Sequence, residues 1–332
     1  MPHIAALYGL ASPAIDDRME DLSAAAERLG ELELEFRFVD SEQNEEDLTA
    51  ALADAIALMP NGAKHFRPLP VEQLPNLRLI QTFSAGTDYL DKAMLAKAGI
   101  DVANNGGANA VAVAEHAVGL MFAVNRKLAV QIDSVRNGTW DAGVTGARTD
   151  FRTLAGKRIG IVGLGRIGSR VAKRLAGWEC DLVYTDVIDH DPEYVVATGA
   201  ARVDLDELLS TSDIVTLHVP LDRTTRRMIS DRELGMMKET GILINTCRGP
   251  VVDEAALIRA LKSKQILGAG LDNTETEPVD QNNPLLQMSN VTLTPHEAHR
   301  AIESDYKAAE HAVMNIARVA RGEKPDWVVP PV

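Results

Sequence analysis

Cysteine is scarce: the 332 residues carry only Cys180 and Cys247. Two cysteines cannot build a disulfide framework, so the fold has to stand on its hydrophobic core. Positive charge is also in deficit, with 34 lysines and arginines against 48 acids and a net charge of −14. So acidic a chain argues against a nucleic-acid partner, whose phosphates need a basic footprint. It also disfavours anionic membrane surfaces, and no apolar run in the sequence is long enough to cross a bilayer. Met1-Pro2-His3-Ile4 enters an apolar run without a basic segment or cleavage site, so a cytoplasmic location is expected. Neither an internal repeat nor a low-complexity tract is present. What remains is an ordinary globular composition, 45% hydrophobic and 25% charged, at a length that suggests about two domains.

Through the first hundred residues, short apolar runs alternate with helical patterns. Strands are expected over 3–9, 35–39, 76–84 and 100–103, and helices over 15–29, 45–58 and 91–98. Such alternation implies a parallel sheet with helices on both faces. A helical pattern from 108 to about 131 follows, apolar nearly all round. A helix of that kind must be covered on every side, by a second domain or by a second subunit. Further strands are expected over 201–203, 213–219, 241–246, 266–272 and 291–294, with helices between them, forming a doubly wound sheet of about six or seven strands. A last helix, 301–321, is left over after that sheet and is expected to return to the first domain, which makes that domain discontinuous. The expected division is residues 1–107 with 299–332, and residues 108–298.

The chain is organised around Ile159-Gly160-Ile161-Val162-Gly163-Leu164-Gly165-Arg166-Ile167-Gly168. An apolar strand ends in glycines spaced G-x-G-x-x-G, and a helix begins. Gly163 permits the tight turn, Gly165 lets a pyrophosphate lie against the backbone, and Gly168 lets the helix pack close to the sheet. Arg166 and Ile167 stand in the same turn, and the helix N-terminus directs free N–H groups and positive dipole at a phosphate. The acid such a unit needs about 20 residues on is Asp186, at the end of the next apolar run. A carboxylate there accepts hydrogen bonds from ribose hydroxyls and repels a 2′-phosphate. The residues after it, Val187-Ile188-Asp189, offer no arginine, so NAD (NADH) is expected rather than NADP.

Three segments in the second half carry polar groups at strand ends, where open α/β sheets bind ligands. Arg248, in Asn245-Thr246-Cys247-Arg248-Gly249-Pro250, offers a planar fork suited to a carboxylate or a 2-keto acid. Asp272 to Pro278 holds three acids, Asp272, Glu275 and Glu277. His296, just past a strand and a proline, is the candidate acid/base for interconverting a carbonyl and an alcohol, with Glu277 as the carboxylate that sets its tautomer. The two histidines His296 and His299, with Glu297, invite a metal, but the spacing is H-E-x-H rather than H-E-x-x-H and no cysteine or third ligand beyond the histidine pair is evident, so no metal is expected. His218 ends a strand of the dinucleotide unit and is placed to touch the cofactor. His3, His65, His116, His190 and His311 are read as structural or surface residues.

Taken together, these pieces resemble the D-isomer-specific 2-hydroxyacid dehydrogenase family. The resemblance covers nearly the whole chain. It is carried by Ser84-Ala85-Gly86-Thr87-Asp88, Val113-Ala114-Glu115-His116, Gly163 to Gly168, His218-Val219-Pro220-Leu221, Asn245-Thr246-Cys247-Arg248-Gly249, Asp272 with Glu277-Pro278, and Thr294-Pro295-His296. It implies an α/β protein of two doubly wound parallel-sheet domains, a flavodoxin-like substrate domain and a Rossmann NAD domain, with a cleft between. It further implies NAD-dependent interconversion of a D-2-hydroxy acid and its 2-keto acid. Arg248, Glu277 and His296 are then catalytic, and Ser84, Ala85, Gly86 and Arg248 bind substrate. The cofactor residues are Gly163, Gly165, Arg166, Ile167, Gly168, Asp186, His218, Val219, Pro220, Thr246, Cys247 and Asp272, the last facing the nicotinamide carboxamide. A homodimer formed around the long helix is implied as well.

Two departures from the commonest pattern stand near the expected site. Glu297-Ala298-His299-Arg300 replaces small or apolar residues, and Asn273-Thr274 replaces an apolar-aromatic pair. Both add polarity, which suits a polar or charged substrate. Arg67 is a weaker candidate for a distal anionic group. Formate-like oxidation is disfavoured by Glu277, where formate dehydrogenases carry glutamine; phosphite-like oxidation and an NAD-sensing, partner-binding role are the remaining alternatives.

Overall fold

The computed structural model describes residues 3–62, 66–67, 71–140 and 151–331; His65 lies outside them. The chain forms two compact units, residues 1–109 with 300–332, and residues 110–299.

The first unit begins with β1 (His3–Gly9), α1 (Pro13–Leu29), β2 (Leu34–Asp40), α2 (Glu45–Leu52), β3 (Ala55–Pro60), β4 (Leu79–Gln81), α3 (Lys92–Lys97) and β5 (Asp101–Ala103). The strands make one parallel sheet in the order β2-β1-β3-β4-β5. Its central strands are buried on both faces, as a parallel sheet requires. α1 starts with Pro13 in its first turn and stops at Gly30, whose φ of 74° suits glycine. Its buried positions Ile15, Leu22, Ala25 and Ala26 pack with Ala309, Ala312, Val313 and Ile316 of the helix Ile302–Ala320 in one cluster against the sheet. Asn315, fully buried on that helix, donates 2.7 Å to Gln81 Oε1 and so ties it to β4.

The second unit contains α4 (Ala110–Asn125), α5 (Leu128–Arg136), β6 (Arg158–Val162), α6 (Gly168–Leu175), β7 (Asp181–Thr185), α7 (Pro192–Val196), β8 (Ala201–Arg202), α8 (Leu205–Thr211), β9 (Ile214–Leu217), α9 (Asp231–Met236), β10 (Ile242–Asn245), α10 (Glu254–Lys262), β11 (Gly268–Leu271) and β12 (Val291–Leu293). Seven parallel strands run β12-β11-β10-β9-β6-β7-β8. The order reverses where β6 lies between β9 and β7, and the crevice at that switch point is where such sheets take their ligands. One core cluster joins Val215, Leu217, Leu243 and Ala269 to Leu257 and Leu261 of α10. On the other face, Ile159, Ile161, Ile214 and Ile244 pack with Ala117, Met121, Val171 and Leu175 of α4 and α6.

Two expectations are corrected. The segment 45–58 is not one helix: it is α2 followed after two residues by β3. Its alanines and leucines suit either state, and pairing on both sides, with β1 and β4, decides for strand. The helix expected over 108–131 is two helices, broken where Lys127 adopts a left-handed φ of 48°. Its own chain leaves part of it open. Val111, Glu115 and Gly119, four residues apart on α4, form an exposed stripe, and α5 has no buried residue at all.

Candidate active site

Site residues of the second unit are set by the carboxyl ends of β6, β7, β9, β10 and β11 and by the turn after β12. At β6, Gly163 has a φ of 92°, and a Cβ on it would stand 2.6 Å from the His218 carbonyl. Gly168 admits no side chain either, because its Cβ would lie 2.0 Å from the Gly163 carbonyl. Gly165 differs: among the described residues, its own chain neighbours apart, no heavy atom lies within 4 Å of its Cβ position. That open space leaves room for a pyrophosphate to lie against the backbone.

Asp186 is the turn's anchor as well as its acid. Oδ2 accepts from Leu164 N at 2.7 Å and faces His190 Nε2 at 3.0 Å, while Oδ1 accepts from Ile188 N at 2.9 Å. Burial raises the Asp186 pKa, but the His190 contact and the Ile188 and Leu164 N–H groups outweigh it and hold the carboxyl below its ordinary range. The His190 ring stacks on Tyr194, whose hydroxyl donates to the carbonyls of Leu164 and Gly165. The turn is thus held at both its N–H and its C=O groups. Sequence reasoning missed this brace, although His190 four residues past Asp186 and Tyr194 four further were its signal. It also missed Arg202, which pairs with Asp189 and donates to the Asp186 carbonyl.

Further along the sheet edge, His218 Nδ1 and Thr246 Oγ1 are enclosed atoms with no hydrogen-bond partner among the described residues. Enclosed polar atoms of this kind are costly unless something occupies the site. His218 Nε2 lies 2.9 Å from Thr216 Oγ1, and desolvation pushes its pKa down to about 3, so the ring is neutral at physiological pH. Cys247 is buried, and that burial pushes its thiol up, so it sits there as a neutral group. The glycine cradle, the ribose acid and these orphaned atoms fit a dinucleotide cofactor.

Arg248 follows β10 on a turn held by Asn245. The buried amide of Asn245 donates 2.9 Å to the Arg248 carbonyl and accepts from Cys247 N at 3.0 Å. Gly249 has no room for a Cβ, which would stand 1.9 Å from the Thr274 carbonyl, so the arginine turn and the acidic loop interlock. The three acids of that loop separate. Glu275 pairs with Arg227 at 2.9 Å. Asp272, 1% exposed, accepts from Thr294 Oγ1, Glu297 N and Ala298 N. Glu277 Oε2 lies 2.7 Å from His296 Nδ1. Burial raises the Glu277 pKa, but the His296 hydrogen bond, the Thr274 N–H and the charge of Arg248 outweigh it and keep the carboxyl below its ordinary range. Glu277 and His296 are therefore in direct contact, and the charge of Arg248 acts on Glu277. The His296 ring also meets His299 edge-on, 6.3 Å between centroids.

The 84–86 loop belongs to the first unit, at the carboxyl end of β4, where Ser84 Oγ donates 2.8 Å to the Gly86 carbonyl. Arg67 donates to the carbonyls of Ser41 and Gln43, so its guanidinium is engaged within its own unit. Among the described residues, no group of three or more His, Cys, Asp and Glu is placed to hold a metal ion, and no helix is long and apolar enough to cross a membrane.

Residues 118–298, more than half of the chain, match the NAD binding domain of the D-isomer specific 2-hydroxyacid dehydrogenases. The chain belongs to that family. A glyoxylate reductase of Thermofilum pendens is 42% identical over 259 residues, covering 78% of this chain and 76% of the relative. Among solved structures, a glyoxylate reductase from Paecilomyes thermophila is 30% identical with a TM-score of 0.83 and 99% coverage of each chain. An NADPH-dependent glyoxylate/hydroxypyruvate reductase from Sinorhizobium meliloti, in complex with NADP and malonate, is 27% identical with a TM-score of 0.81, covering 100% of this chain and 98% of that one. As a D-2-hydroxyacid dehydrogenase, the protein is an oxidoreductase that works with NAD(H) or NADP(H) on small hydroxy or keto acids.

Proposed function

We propose that the protein is an NADH-dependent 2-keto acid reductase of D stereospecificity, with His296 as acid/base, and that glyoxylate and hydroxypyruvate are the first substrates to try. The observation that carries this reading is the 2.7 Å contact of His296 Nδ1 with Glu277 beside the charge of Arg248. Glu277 fixes Nδ1 as a donor, which leaves Nε2 to give a proton to the substrate oxygen in reduction and to take one in oxidation. Arg248 binds the substrate carboxylate and offsets negative charge that develops on the oxygen. Ser84, Ala85 and Gly86 are the residues of the first unit we propose for substrate binding.

Residues 163–168 hold the pyrophosphate and Asp186 the ribose, with His218, Val219, Pro220, Thr246 and Cys247 along the sheet edge. The cofactor supplies the hydride when bound. Among the described residues, Asp272 Oδ2 accepts from Ala298 N alone, so it retains acceptor capacity for a carboxamide N–H. NAD is favoured over NADP because the Asp186 carboxylate repels a 2′-phosphate and the guanidinium of Arg202 is engaged by Asp189 and the Asp186 carbonyl. A homodimer is supported by α5, where Leu128, Ile132 and Val135 are 39%, 46% and 54% exposed at helical spacing, with Trp140 beyond them at 92%.

His296→Ala tests the assignment. It should lower kcat by roughly 10²- to 10⁴-fold, the usual contribution of a general acid/base, and leave NADH affinity within about twofold. A kcat within a few-fold of the parent would remove His296 from the chemistry.

A further inference from the structure

His296 is held in an unusual conformation, and the hydrogen bonds that hold it end on a residue outside the reacting cluster. Its φ of 60° lies in the left-handed region, which non-glycine residues occupy only where surroundings impose it. On one side, His296 N donates 3.0 Å to the Thr294 carbonyl. On the other, Glu297 N and Ala298 N donate 3.0 and 2.8 Å to the carboxylate of Asp272. Thr294 Oγ1 closes the frame with a 2.6 Å hydrogen bond to Asp272 Oδ1. Behind that hydroxyl stands His116 of α4, its Nε2 2.9 Å from Thr294 Oγ1 and 3.6 Å from Asp272 Oδ1.

A count of protons fixes the direction. Thr294 Oγ1 has one proton, and the short contact gives it to Asp272. The contact with His116 is then a hydrogen bond only if His116 Nε2 is the donor. His116 therefore carries its proton on Nε2, and it sets the position of the threonine hydroxyl around which the His296 turn is built.

We infer that His116 is a positioning residue for His296, acting through Thr294 and Asp272 to hold the acid/base turn in its left-handed conformation. The inference rests on the reading of His296 as acid/base. His116 touches none of the reacting groups, and its effect travels through hydrogen bonds to backbone whose geometry a small displacement would spoil.

The test is a set of variants read by kcat, KM and NADH affinity. His116→Ala should lower kcat about tenfold while leaving NADH affinity and the KM for the keto acid within about twofold. His116→Gln, whose side-chain amide nitrogen reaches the place of Nε2, should recover most of the loss, and His116→Asn, whose amide reaches only as far as Nδ1, should not. The double variant His116→Ala/Thr294→Val should be no slower than Thr294→Val alone, because the two residues act in series. The inference is overturned if His116→Ala keeps full kcat in a protein that His296→Ala inactivates, or if Asn rescues as well as Gln. It is equally overturned if NADH affinity falls in parallel with kcat, since that marks a general loss of structure. If His296→Ala is itself fully active, the assignment of the acid/base fails first and this inference fails with it.

Discussion

At the scale of single residues, chemistry in this protein depends on carboxylates placed where burial alone would disfavour their charge. Asp186 and Glu277 are both held below the ordinary carboxylate range by hydrogen-bond donors that outweigh desolvation. A carboxyl whose folded pKa is depressed stabilises the fold fully above its unfolded value, about pH 4, and loses that contribution as pH falls through the folded value. Unfolding by urea between pH 7 and pH 3 should therefore show a steep acid loss that is shallower in Asp186→Asn, with the difference confined to the acid side. An equal slope in the two proteins would deny Asp186 its role as anchor of the glycine turn. These acids also show how far the sequence could be read. Asp186 stands out because its spacing from a glycine turn has a chemical reason, and Glu277 because a histidine acid/base needs a carboxylate partner. The donors that tune them, His190 and the N–H groups of Leu164, Ile188 and Thr274, come from loops whose path is settled only by tertiary packing.

At the scale of elements, the glycine-rich turn after β6 separates two demands that one motif conflates. Gly168 is required by the fold, since its Cβ position lies 2.0 Å from the Gly163 carbonyl, whereas Gly165 faces open space. Gly168→Ala should lower Tm by several degrees, and Gly165→Ala should leave the Tm of the free protein within about one degree while weakening NADH binding tenfold or more. Calorimetry and a fluorescence titration check both. Unimpaired NADH binding by Gly165→Ala would mean that the turn does not cradle the pyrophosphate. α5 yields a second prediction. Ile132→Glu or Val135→Glu on its apolar face should convert a dimer to a monomer in light scattering, and a parent that is already monomeric would contradict the homodimer. Strands such as β1 were legible because alternating surroundings leave a short apolar run no other home. α2 and β3 were not, because an alanine- and leucine-rich stretch serves helix and strand alike and only the neighbouring strands decide.

At the scale of the whole molecule, a chain of acidic balance with two parallel sheets carries its functional groups at strand ends, where the topology exposes them. The fold class and the family follow from motifs spread over the length of the chain, so both could be read before the structure, whereas the order of the strands could not. Substrate preference could not, because loops bearing Glu297, His299 and the 84–86 segment take their shape from contacts that local sequence does not encode. The central claim is that His296, Glu277 and Arg248 reduce a small 2-keto acid with NADH. It is tested most directly by following NADH and, separately, NADPH consumption with glyoxylate, hydroxypyruvate, pyruvate and phosphohydroxypyruvate. The account predicts turnover of at least one of these acids, at least tenfold more efficient with NADH, and lost in His296→Ala. No turnover of any of them while NADH still binds, or a clear preference for NADPH, would contradict it.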